Sequence, residues 1–191
     1  MGGFMTLSKK ICRQQFRHAR LKLSKIQRQK KSQQISRRLA YLLRKQKGAI
    51  AFYEAMGSEV NLFPWAYVWL AKYPDRPLYV PHYLTFNRVM VFRPYPRYKK
   101  GKYLKAQQIR VLLMPLIAAD LKGHRLGQGG GYYDATLKHC SKKKPYRLGI
   151  GFACQLTDQL PIESHDQRLN TFVSEEKLIQ FSYKTVVSLT Q

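Results

Sequence analysis

Acidic residues are scarce in this sequence of 191 residues. It has 10 Asp and Glu against 35 Lys and Arg, for a formal net charge of +25. Fifteen of the cations come before Gly48, whereas the first carboxylate in the chain is that of Glu54. A field of this sign attracts anions, so the candidate partners are nucleic acid, an acidic membrane surface and a polyanionic small molecule such as a nucleotide.

Long apolar runs are also missing. The longest one near the middle of the chain, Val111 to Ala119, is interrupted by Pro115, whereas a membrane-spanning helix needs about 20 apolar residues. No apolar segment of a secretory signal follows the basic N-terminus. We therefore expect neither a membrane span nor secretion. The pattern from Met1 to Thr6 fits N-myristoylation, and Lys9 and Lys10 nearby are a basic second signal, so a lipid anchor stays open.

Cysteine is limited to Cys12, Cys140 and Cys154, which form no C-x-x-C pair and cannot all pair with one another. A chain of this size does not need disulfides for stability, so we expect a reducing, cytoplasmic location. None of the three has the nearby His and acid that would argue for a nucleophile, and we interpret them as packing residues. With 45% hydrophobic residues, the chain is expected to fold as one domain, 1–191, and as a monomer.

The N-terminal part of the sequence predicts two helices. Ser8 is a suitable cap for the first, and Ser24 to Gln27 reads as the capping box of the second, after a break near Leu23. Gly48 follows the end of the second helix. The expected inner positions are Cys12, Phe16 and Ala19 in the first helix, and Ile35, Leu39, Leu42 and Leu43 in the second.

After Gly48 the sequence alternates between strand-length and helix-length segments, which favours a mostly parallel sheet between helical layers. The N-terminal helices and an antiparallel extension over Pro77–Tyr103, with Arg93–Pro96 as a turn or edge, complete the expected α/β fold. The predicted strands are Ala49–Tyr53, Leu78–Val80, Val89–Phe92, Val111–Met114, Leu148–Phe152 and Thr185–Leu189. The predicted helices are Asn61–Lys72, Tyr132–His139 and part of Asp166–Gln180.

The most informative segment, Arg125–Asp134, reads Arg-Leu-Gly-Gln-Gly-Gly-Gly-Tyr-Tyr-Asp. Glycine lets backbone N–H groups approach an anion closely, and a helix starting at the end of the segment would add further N–H donors. The segment lacks the GK[ST] ending of a P-loop and does not match G-x-G-x-x-G. A phosphate-binding loop is therefore predicted, with a flexible turn after a strand as the alternative.

Polar residues around this loop strengthen the phosphate interpretation. Arg125 brings a guanidinium group, and Tyr132 and Tyr133 bring aromatic rings with hydroxyls. Asp134 offers an oxygen ligand of the kind that Mg²⁺ prefers, and Asp166 is the second candidate, because nucleotide-bound magnesium uses one or two protein carboxylates. The alternative for Asp134 is a first-turn helix acid that the helix dipole favours.

The glycine segment, together with Gly149–Gln155 and Leu160–Asp166, resembles the 5-formyltetrahydrofolate cyclo-ligase family nearly end to end. The resemblance includes Lys9 to Arg13, which is similar to the family's nucleotide-contacting K-x-x-x-R segment, and Glu59, which follows the first strand. It implies that MgATP and 5-formyltetrahydrofolate give 5,10-methenyltetrahydrofolate, ADP and phosphate through a phosphorylated formyl (iminium phosphate) intermediate. Such phosphoryl transfer needs positioning and charge neutralisation rather than a nucleophilic triad.

The resemblance also implies roles for individual residues. Catalysis is expected of Arg125 and Tyr133, magnesium binding of Asp134 and Asp166, and folate binding of Glu54, Glu59, Tyr132 and Tyr133. The expected ATP-binding residues are Lys9, Lys10, Ile11, Cys12, Arg13, Arg125, Leu126, Gly127, Gln128, Gly129, Gly130, Gly131, Tyr132 and Tyr133. A cap of the following helix is the alternative for Glu59, and a solvated helix face is the alternative for Lys9 and Arg13.

One departure from the family pattern and two other functions remain open. The family commonly has Arg where this chain has Gln128, which removes a charge that Lys122 or Arg125 could partly replace. A same-fold relative with another substrate is therefore one alternative. A nucleic-acid-binding module is the other, because cations and aromatic residues alternate in Phe92–Tyr103. A polyglutamylated folate is itself anionic, so substrate capture is a further use for the excess charge.

Overall fold

The computed structural model describes residues 8–84, 88–96, 100–141 and 144–181. The helices of this part of the chain are α1 (Lys9–Leu21), α2 (Lys25–Leu43), α3 (Phe63–Lys72) and α4 (Tyr132–Leu137). Ser8 caps α1 by accepting a hydrogen bond from the Ile11 N–H. Ser24 and Gln27 form the reciprocal capping box of α2, so both predicted N-terminal helices are confirmed.

Two sheets occur within the described ranges. The strands are β1 (Ile50–Ala51), β2 (Leu78–Tyr83), β3 (Met90–Tyr95), β4 (Val111–Pro115), β5 (Ala118–Asp120), β6 (Arg125–Leu126), β7 (Tyr146–Ile150), β8 (Leu156–Thr157), β9 (Thr171–Val173) and β10 (Leu178–Gln180). The large sheet has the order β10-β9-β7-β4-β1-β2-β3, and the small one β6-β5-β8. In the large sheet β9, β7, β4, β1 and β2 run parallel, and the edge strands β10 and β3 are antiparallel.

The large sheet is covered on both faces, which confirms the expected α/β architecture. Strand β4 alternates between the two layers: Val111 and Leu113 pack with α2 and α3, while Leu112 and Met114 face the opposite core. Leu137 of α4 and Phe181, which follows β10, belong to that second core. The antiparallel pairing of β2 with β3 confirms the predicted extension, with β3 as an edge strand.

A third, smaller core fixes α1 against the small sheet. Cys12 packs with Ile117 and Ala118, with Leu126 of β6, and with Leu160. The burial of Cys12 agrees with its predicted inner position. This packing places the N-terminal end of α1 beside the chain segments that follow β6 and β8.

The predicted helix within Asp166–Gln180 is wrong, because the segment contains β9, a turn and β10. Leu169, Phe172 and Val173 have the i, i+3, i+4 spacing of a helix face. Phe172 and Val173 are instead buried in the parallel strand β9, which is covered on both faces, and Leu169 is buried just before it. Ser174 then accepts hydrogen bonds from the backbone N–H groups of the turn. The predicted strand Thr185–Leu189 and the myristoylation pattern lie outside the described residues. No helix of the described ranges is long and apolar enough to cross a membrane.

Candidate active site

The segments that carry the predicted site residues leave one edge of the large sheet. Strand β1 leads to Glu54 and Glu59, and β4 leads through β5 and β6 to residues 127–131, which we call the glycine loop. Strand β7 leads through β8 to residues 160–167, which we call the acidic loop. The carboxyl ends of parallel strands are the usual place for ligand sites in α/β sheets. The order of the strands therefore brings these segments together.

The glycine loop exposes its backbone to two guanidinium groups. Gly129 and Gly131 have φ values of +106° and +71°, which side chains rarely allow. Arg13 donates from Nε to the carbonyl of the first loop residue at 2.9 Å. A Cβ at Gly129 would lie 3.6 Å from the Arg13 guanidinium carbon, and one at Gly131 would lie 3.5 Å from Arg88 Nη1. Within the described residues, the backbone N–H groups of residues 128–131 have no acceptor.

Gln128 joins the glycine loop to two charged residues. Its Oε1 accepts from Arg17 Nη2 at 2.7 Å, and its Nε2 donates to Glu59 Oε1 at 3.0 Å. The second oxygen of Glu59 accepts from the backbone N–H of Met56 at 3.0 Å. Glu59 is buried, so these donors compensate a carboxylate that has little access to water. Arg17, rather than Lys122 or Arg125, is the cation that lies against Gln128.

Arg125 and Asp134 form the centre of the network between the two loops. Arg125 is buried and donates from Nη2 to Asp134 Oδ1 at 2.9 Å, while its Nη1 donates to the carbonyl of Gln167. The backbone N–H of Gln167 also donates to Asp134 Oδ1 at 2.9 Å. Asp134 is therefore held next to the residue that follows Asp166. The structure therefore places the Asp134 carboxylate beside the backbone of the acidic loop that carries Asp166.

Asp166 is paired with Lys9 of α1. Lys9 Nζ lies 2.9 Å from Oδ1 and 2.7 Å from Oδ2, and the N–H of Glu163 donates to Oδ2 at 2.7 Å. Burial raises the pKa of Asp166, but the hydrogen bonds from Lys9 and Glu163 and the charges of Lys9 and His165 outweigh it, so the pKa lies below its ordinary value. Asp166 is thus held as a carboxylate by a cation from the N-terminal helix.

A buried aspartate organises the hairpin that leads to the glycine loop. Asp120 has no exposed surface, and its Oδ1 accepts from the backbone N–H groups of Lys122 and His124, each at 2.9 Å. Its Oδ2 accepts from the His124 ring nitrogen Nδ1 at 2.8 Å and from the N–H of Leu160 at 3.3 Å. One side chain therefore fixes the turn before Arg125 and the start of the acidic loop.

Tyrosine rings border the site next to Glu59. The rings of Tyr83 and Tyr132 meet edge to face with centroids 4.9 Å apart. Burial, together with the hydroxyl of Tyr83 and the charge of Glu59, raises the pKa of Tyr133, although Arg125 acts in the opposite direction. Tyr133 therefore stays protonated and is suited to donate a hydrogen bond rather than to act as a base.

Glu54 lies further along the β1 side, where Arg93 Nη2 approaches its Oε2 to 3.3 Å. Its side chain is 36% exposed, so it remains accessible to a ligand. Burial is the largest cause of the raised pKa of Tyr83, and the charges of Glu59 and Glu54 raise it further.

A cavity of about 490 Å³ lies between the glycine loop and the acidic loop. Its lining residues are Arg88, Gly131, Asp134, Ala135, Lys138, Ser164, His165 and Gln167. Asp134 Oδ2 has no hydrogen-bond donor among the described residues, so one oxygen is available for a cation. No group of three or more His, Cys, Asp or Glu in the described part could hold a metal by itself. The donor set thus fits magnesium that arrives with a nucleotide, not a fully protein-ligated metal.

The other predicted nucleotide-binding residues differ in their surroundings. Lys10 and Ile11 are exposed on α1, whereas Cys12 and Leu126 are buried in the third core. Burial raises the pKa of all three cysteines, which agrees with their expected inertness, although Cys154 is exposed and is not a packing residue.

Four residues of the site were not predicted from the sequence: Arg17, Arg88, Gln167 and Tyr83. Arg17 follows Arg13 by one helical turn, so its position on the same face was available as a signal. Gln167 acts through its backbone, which no side-chain pattern reveals. Arg88 and Tyr83 reach the site only because β2 and β3 pair at the sheet edge.

The comparisons with known proteins all indicate the same family. The family model described as 5-formyltetrahydrofolate cyclo-ligase matches residues 67–175. A 5-formyltetrahydrofolate cyclo-ligase of Haemophilus influenzae is 28% identical over 178 residues, which cover 84% of this chain and 94% of that protein. A protein of the same name from Mycoplasma pneumoniae is 26% identical and is covered over its whole length, with 89% of this chain aligned.

Solved structures show the same fold. The structure of a 5,10-methenyltetrahydrofolate synthetase from Mycoplasma pneumoniae matches with a TM-score of 0.76 at 26% identity, covering 88% of this chain and 99% of that one. The NMR structure of an Aquifex aeolicus 5,10-methenyltetrahydrofolate synthetase matches with a TM-score of 0.78 at 24% identity, covering 96% of each chain. At that identity the second match supports the fold alone.

Proposed function

Because the chain belongs to the 5-formyltetrahydrofolate cyclo-ligase family, we propose that it uses MgATP to convert 5-formyltetrahydrofolate to 5,10-methenyltetrahydrofolate, with release of ADP and phosphate. The observation that carries the proposal is the hydrogen-bonded connection between the glycine loop, Asp134 and the acidic loop, with Glu59 joined to the same loop through Gln128. The groups proposed to bind phosphate, a cation and folate therefore share one edge of the sheet.

The reaction needs activation of an oxygen atom. The formyl oxygen on N5 is amide-like and leaves poorly, so the γ-phosphoryl group of ATP is transferred to it. N10 then forms a bond to the formyl carbon and loses its proton, and the original formyl oxygen leaves with the phosphate. The protein has to align these groups and offset negative charge, which agrees with a site that has many cations and backbone amides.

The nucleotide phosphates are assigned to the glycine loop and the nearby cations. The unpaired loop amides and the guanidinium group of Arg13 offer donors on one side, and Arg88 lies beside Gly131 on the other. Arg125 is already committed to Asp134 and Gln167, so its proposed contribution to catalysis is to hold that carboxylate in position.

Asp134 would hold the magnesium ion, with Asp166 as the second ligand when Lys9 releases it. Magnesium bound there would neutralise charge on the transferring phosphoryl group. Arg125 fixes Oδ1 of Asp134, so Oδ2, which has no donor among the described residues, would be the oxygen that contacts the ion. Gln167 links the positions of the two carboxylates through its backbone N–H.

The folate is assigned to the border formed by Glu59 and the tyrosines. A carboxylate can accept paired hydrogen bonds from the nitrogen atoms of a pterin ring, and Glu59 is held in a water-poor environment where such bonds are strong. Tyr132 offers a partly exposed ring, and the protonated hydroxyl of Tyr133 offers a donor. Glu54 would line the outer part of the same pocket.

The direct test mixes the purified protein with 5-formyltetrahydrofolate, ATP and Mg²⁺, and follows the near-ultraviolet absorption of the methenyl product together with phosphate release. We expect both signals at equal stoichiometry, and neither when ATP or folate is omitted. Glu59→Gln should raise the KM for folate while the KM for ATP stays within a factor of about two, and the exposed Glu176→Gln serves as its control. Failure to form product, with tight ATP binding retained, would assign the chain to a relative with another substrate.

A further inference from the structure

The second helix carries charge that the active site does not use. All fifteen Lys and Arg before Gly48 fall in residues 9–47, a range without Asp or Glu. Among the described residues, only Lys9 and Lys31 of these fifteen lie within 4.0 Å of a carboxylate. The exposed cations of α2 therefore lack a carboxylate to pair with in the described part of the chain, and their charge acts mainly on the surrounding solution.

Three of these cations lie in one row along the outer face of α2. Lys30, Arg37 and Arg44, the last at the C-terminal cap, are spaced by seven residues, which places them on the same side of a helix over about 21 Å. All three are exposed, and the polar Gln33 and Gln34 lie between the first two. We call this row the cationic stripe. Lys30 and Arg37 have no ion-pair partner in the part of the chain that the structure describes.

An exposed aromatic ring interrupts the stripe near its C-terminal end. Tyr41 is 69% exposed, and the Arg44 guanidinium carbon lies 3.7 Å from its ring centroid. Arg76 adds a further cation at this end, because its Nη1 donates to the carbonyl of Arg44 at 2.6 Å. Arg76 also forms a second guanidinium–aromatic pair at this end, because its guanidinium carbon lies 4.2 Å from the ring centroid of Tyr73. Cations combined with an exposed ring are the usual surface for single-stranded nucleic acid.

We propose that the cationic stripe binds single-stranded nucleic acid without sequence preference, with the cations on phosphates and Tyr41 stacked on a base. The polar residues of the stripe favour this partner over a lipid surface. A membrane-bound amphipathic helix needs a free apolar face, but Ile35, Leu39 and Leu43 of α2 are already buried in the core. Glutamines beside the cations offer further donors to phosphate and sugar oxygens.

The segment Phe92–Tyr103 is a weaker candidate for the same role. Phe92 is fully buried, and the Tyr95 ring packs against Phe52 at 4.9 Å and Phe63 at 6.2 Å, so neither is presented to a base. Tyr103 is exposed, but it is in edge contact with His82. The stacking interpretation drawn from the sequence of that segment is therefore wrong for Phe92 and Tyr95. Three exposed lysines nearby, Lys100, Lys102 and Lys105, make it a suitable comparison surface.

The test compares two triple variants of equal net charge. One is Lys30→Gln, Arg37→Gln and Arg44→Gln, and the other is Lys100→Gln, Lys102→Gln and Lys105→Gln. Binding of a fluorescent oligouridine of about 20 nucleotides is followed by anisotropy between about 50 and 200 mM salt. For the stripe variant we expect affinity at least about tenfold lower and a log–log salt slope smaller by about 2, since three lost phosphate contacts on a single strand contribute about 0.7 each. The other variant should retain wild-type affinity and slope within about a factor of two.

Further measurements separate the specific proposal from general attraction. Tyr41→Ala should weaken oligouridine binding about fivefold or more, because stacking contributes roughly 1–3 kcal/mol per base, without changing the salt slope. Equal binding of wild type to a polyglutamate chain of matched charge, or binding of both triple variants with the same reduced affinity, would overturn the proposal. Stripe-dependent binding to anionic phosphatidylserine vesicles but not to oligouridine would assign the surface to membranes instead. Cyclo-ligase activity is measured in parallel, and we expect both triple variants to retain it.

Discussion

The two N-terminal helices have a similar density of positive charge but use it differently. On α1, Lys9 pairs with Asp166, Arg13 with the glycine-loop backbone, Arg17 with Gln128, and Arg20 with the Ser58 hydroxyl. The stripe residues of α2 face solvent. The difference follows from packing, because α1 lies against β5 and the chain around residue 153, whereas α2 packs on α3 and the large sheet. Cation count alone therefore does not locate a binding site, but the polar groups that the cations meet do.

The largest effect is expected at Asp134, the carboxylate that joins Arg125 to the acidic loop. Asp134→Asn keeps the size of the side chain but loses the carboxylate that Arg125 and the Gln167 N–H hold. We expect kcat to fall about 100-fold or more, with the circular dichroism spectrum unchanged. Asp158→Asn, at an exposed aspartate, is the control. Wild-type turnover in Asp134→Asn would remove the proposed metal role.

A matched pair of arginine variants tests the two helices directly. Arg13→Ala removes the hydrogen bond to the glycine loop and should raise the KM for ATP about tenfold or more, since hydrogen bonds to charged groups contribute roughly 1.5–3 kcal/mol. Arg37→Ala removes the same charge from α2, and we expect a KM within about a factor of two of wild type. The KM for ATP of both variants is measured by steady-state kinetics at fixed ionic strength. Equal effects of both changes would mean that bulk charge, not contact, determines ATP affinity.

Lys9→Met tests the ion pair through its pH dependence. The folded-state pKa of Asp166 is lowered, so the pair stabilises the protein above the ordinary aspartate pKa of about 3.9, and this contribution is lost as pH falls through the lowered value. At pH 7 the variant should lose about 1 kcal/mol of unfolding free energy in urea titrations, and the difference should shrink in acid. Lys30→Met is expected to show no such pH-dependent difference. A constant loss at every pH would contradict the ion-pair explanation.

The smallest effect is expected at Tyr133. Its raised pKa keeps the hydroxyl protonated, so Tyr133→Phe removes a hydrogen-bond donor rather than a base. We expect kcat to fall less than about tenfold, while the pH profile of kcat keeps its shape up to about pH 10. A lost basic limb of the profile in the variant would instead show that Tyr133 titrates during turnover.

Local patterns in the sequence predicted much of the fold. The caps at Ser8 and Ser24 and the buried strand that begins at Val111 depend on neighbouring residues, so they could be identified without a structure. The segment Asp166–Gln180 could not, because the spacing of its apolar residues suits a helix face and only pairing with β7 makes it a strand. The glycine loop was recognisable for the same local reason as the caps.

Long-range contacts explain what the sequence did not reveal at the site. Lys9 and Asp166 were both candidates, yet their pairing across 157 residues depends on how α1 packs on the small sheet. The connection from Arg17 through Gln128 to Glu59 likewise depends on the folded arrangement of three separate segments. Asp120 had no motif of its own, although its buried carboxylate fixes both loops that reach Asp134 and Asp166.

The pair of Lys9 and Asp166 makes metal arrival an exchange instead of a simple addition. A divalent ion can use both oxygens of Asp166 only after the ammonium group moves away, and that group then needs another anion nearby. A nucleoside triphosphate that enters with its magnesium ion supplies both the divalent ion for Asp166 and a new anion for Lys9. Free magnesium would separate the ion pair and leave Lys9 only the half-exposed Glu163, whose Oε1 lies 3.3 Å from Lys9 Nζ. This geometry therefore favours the loaded nucleotide over the bare cation.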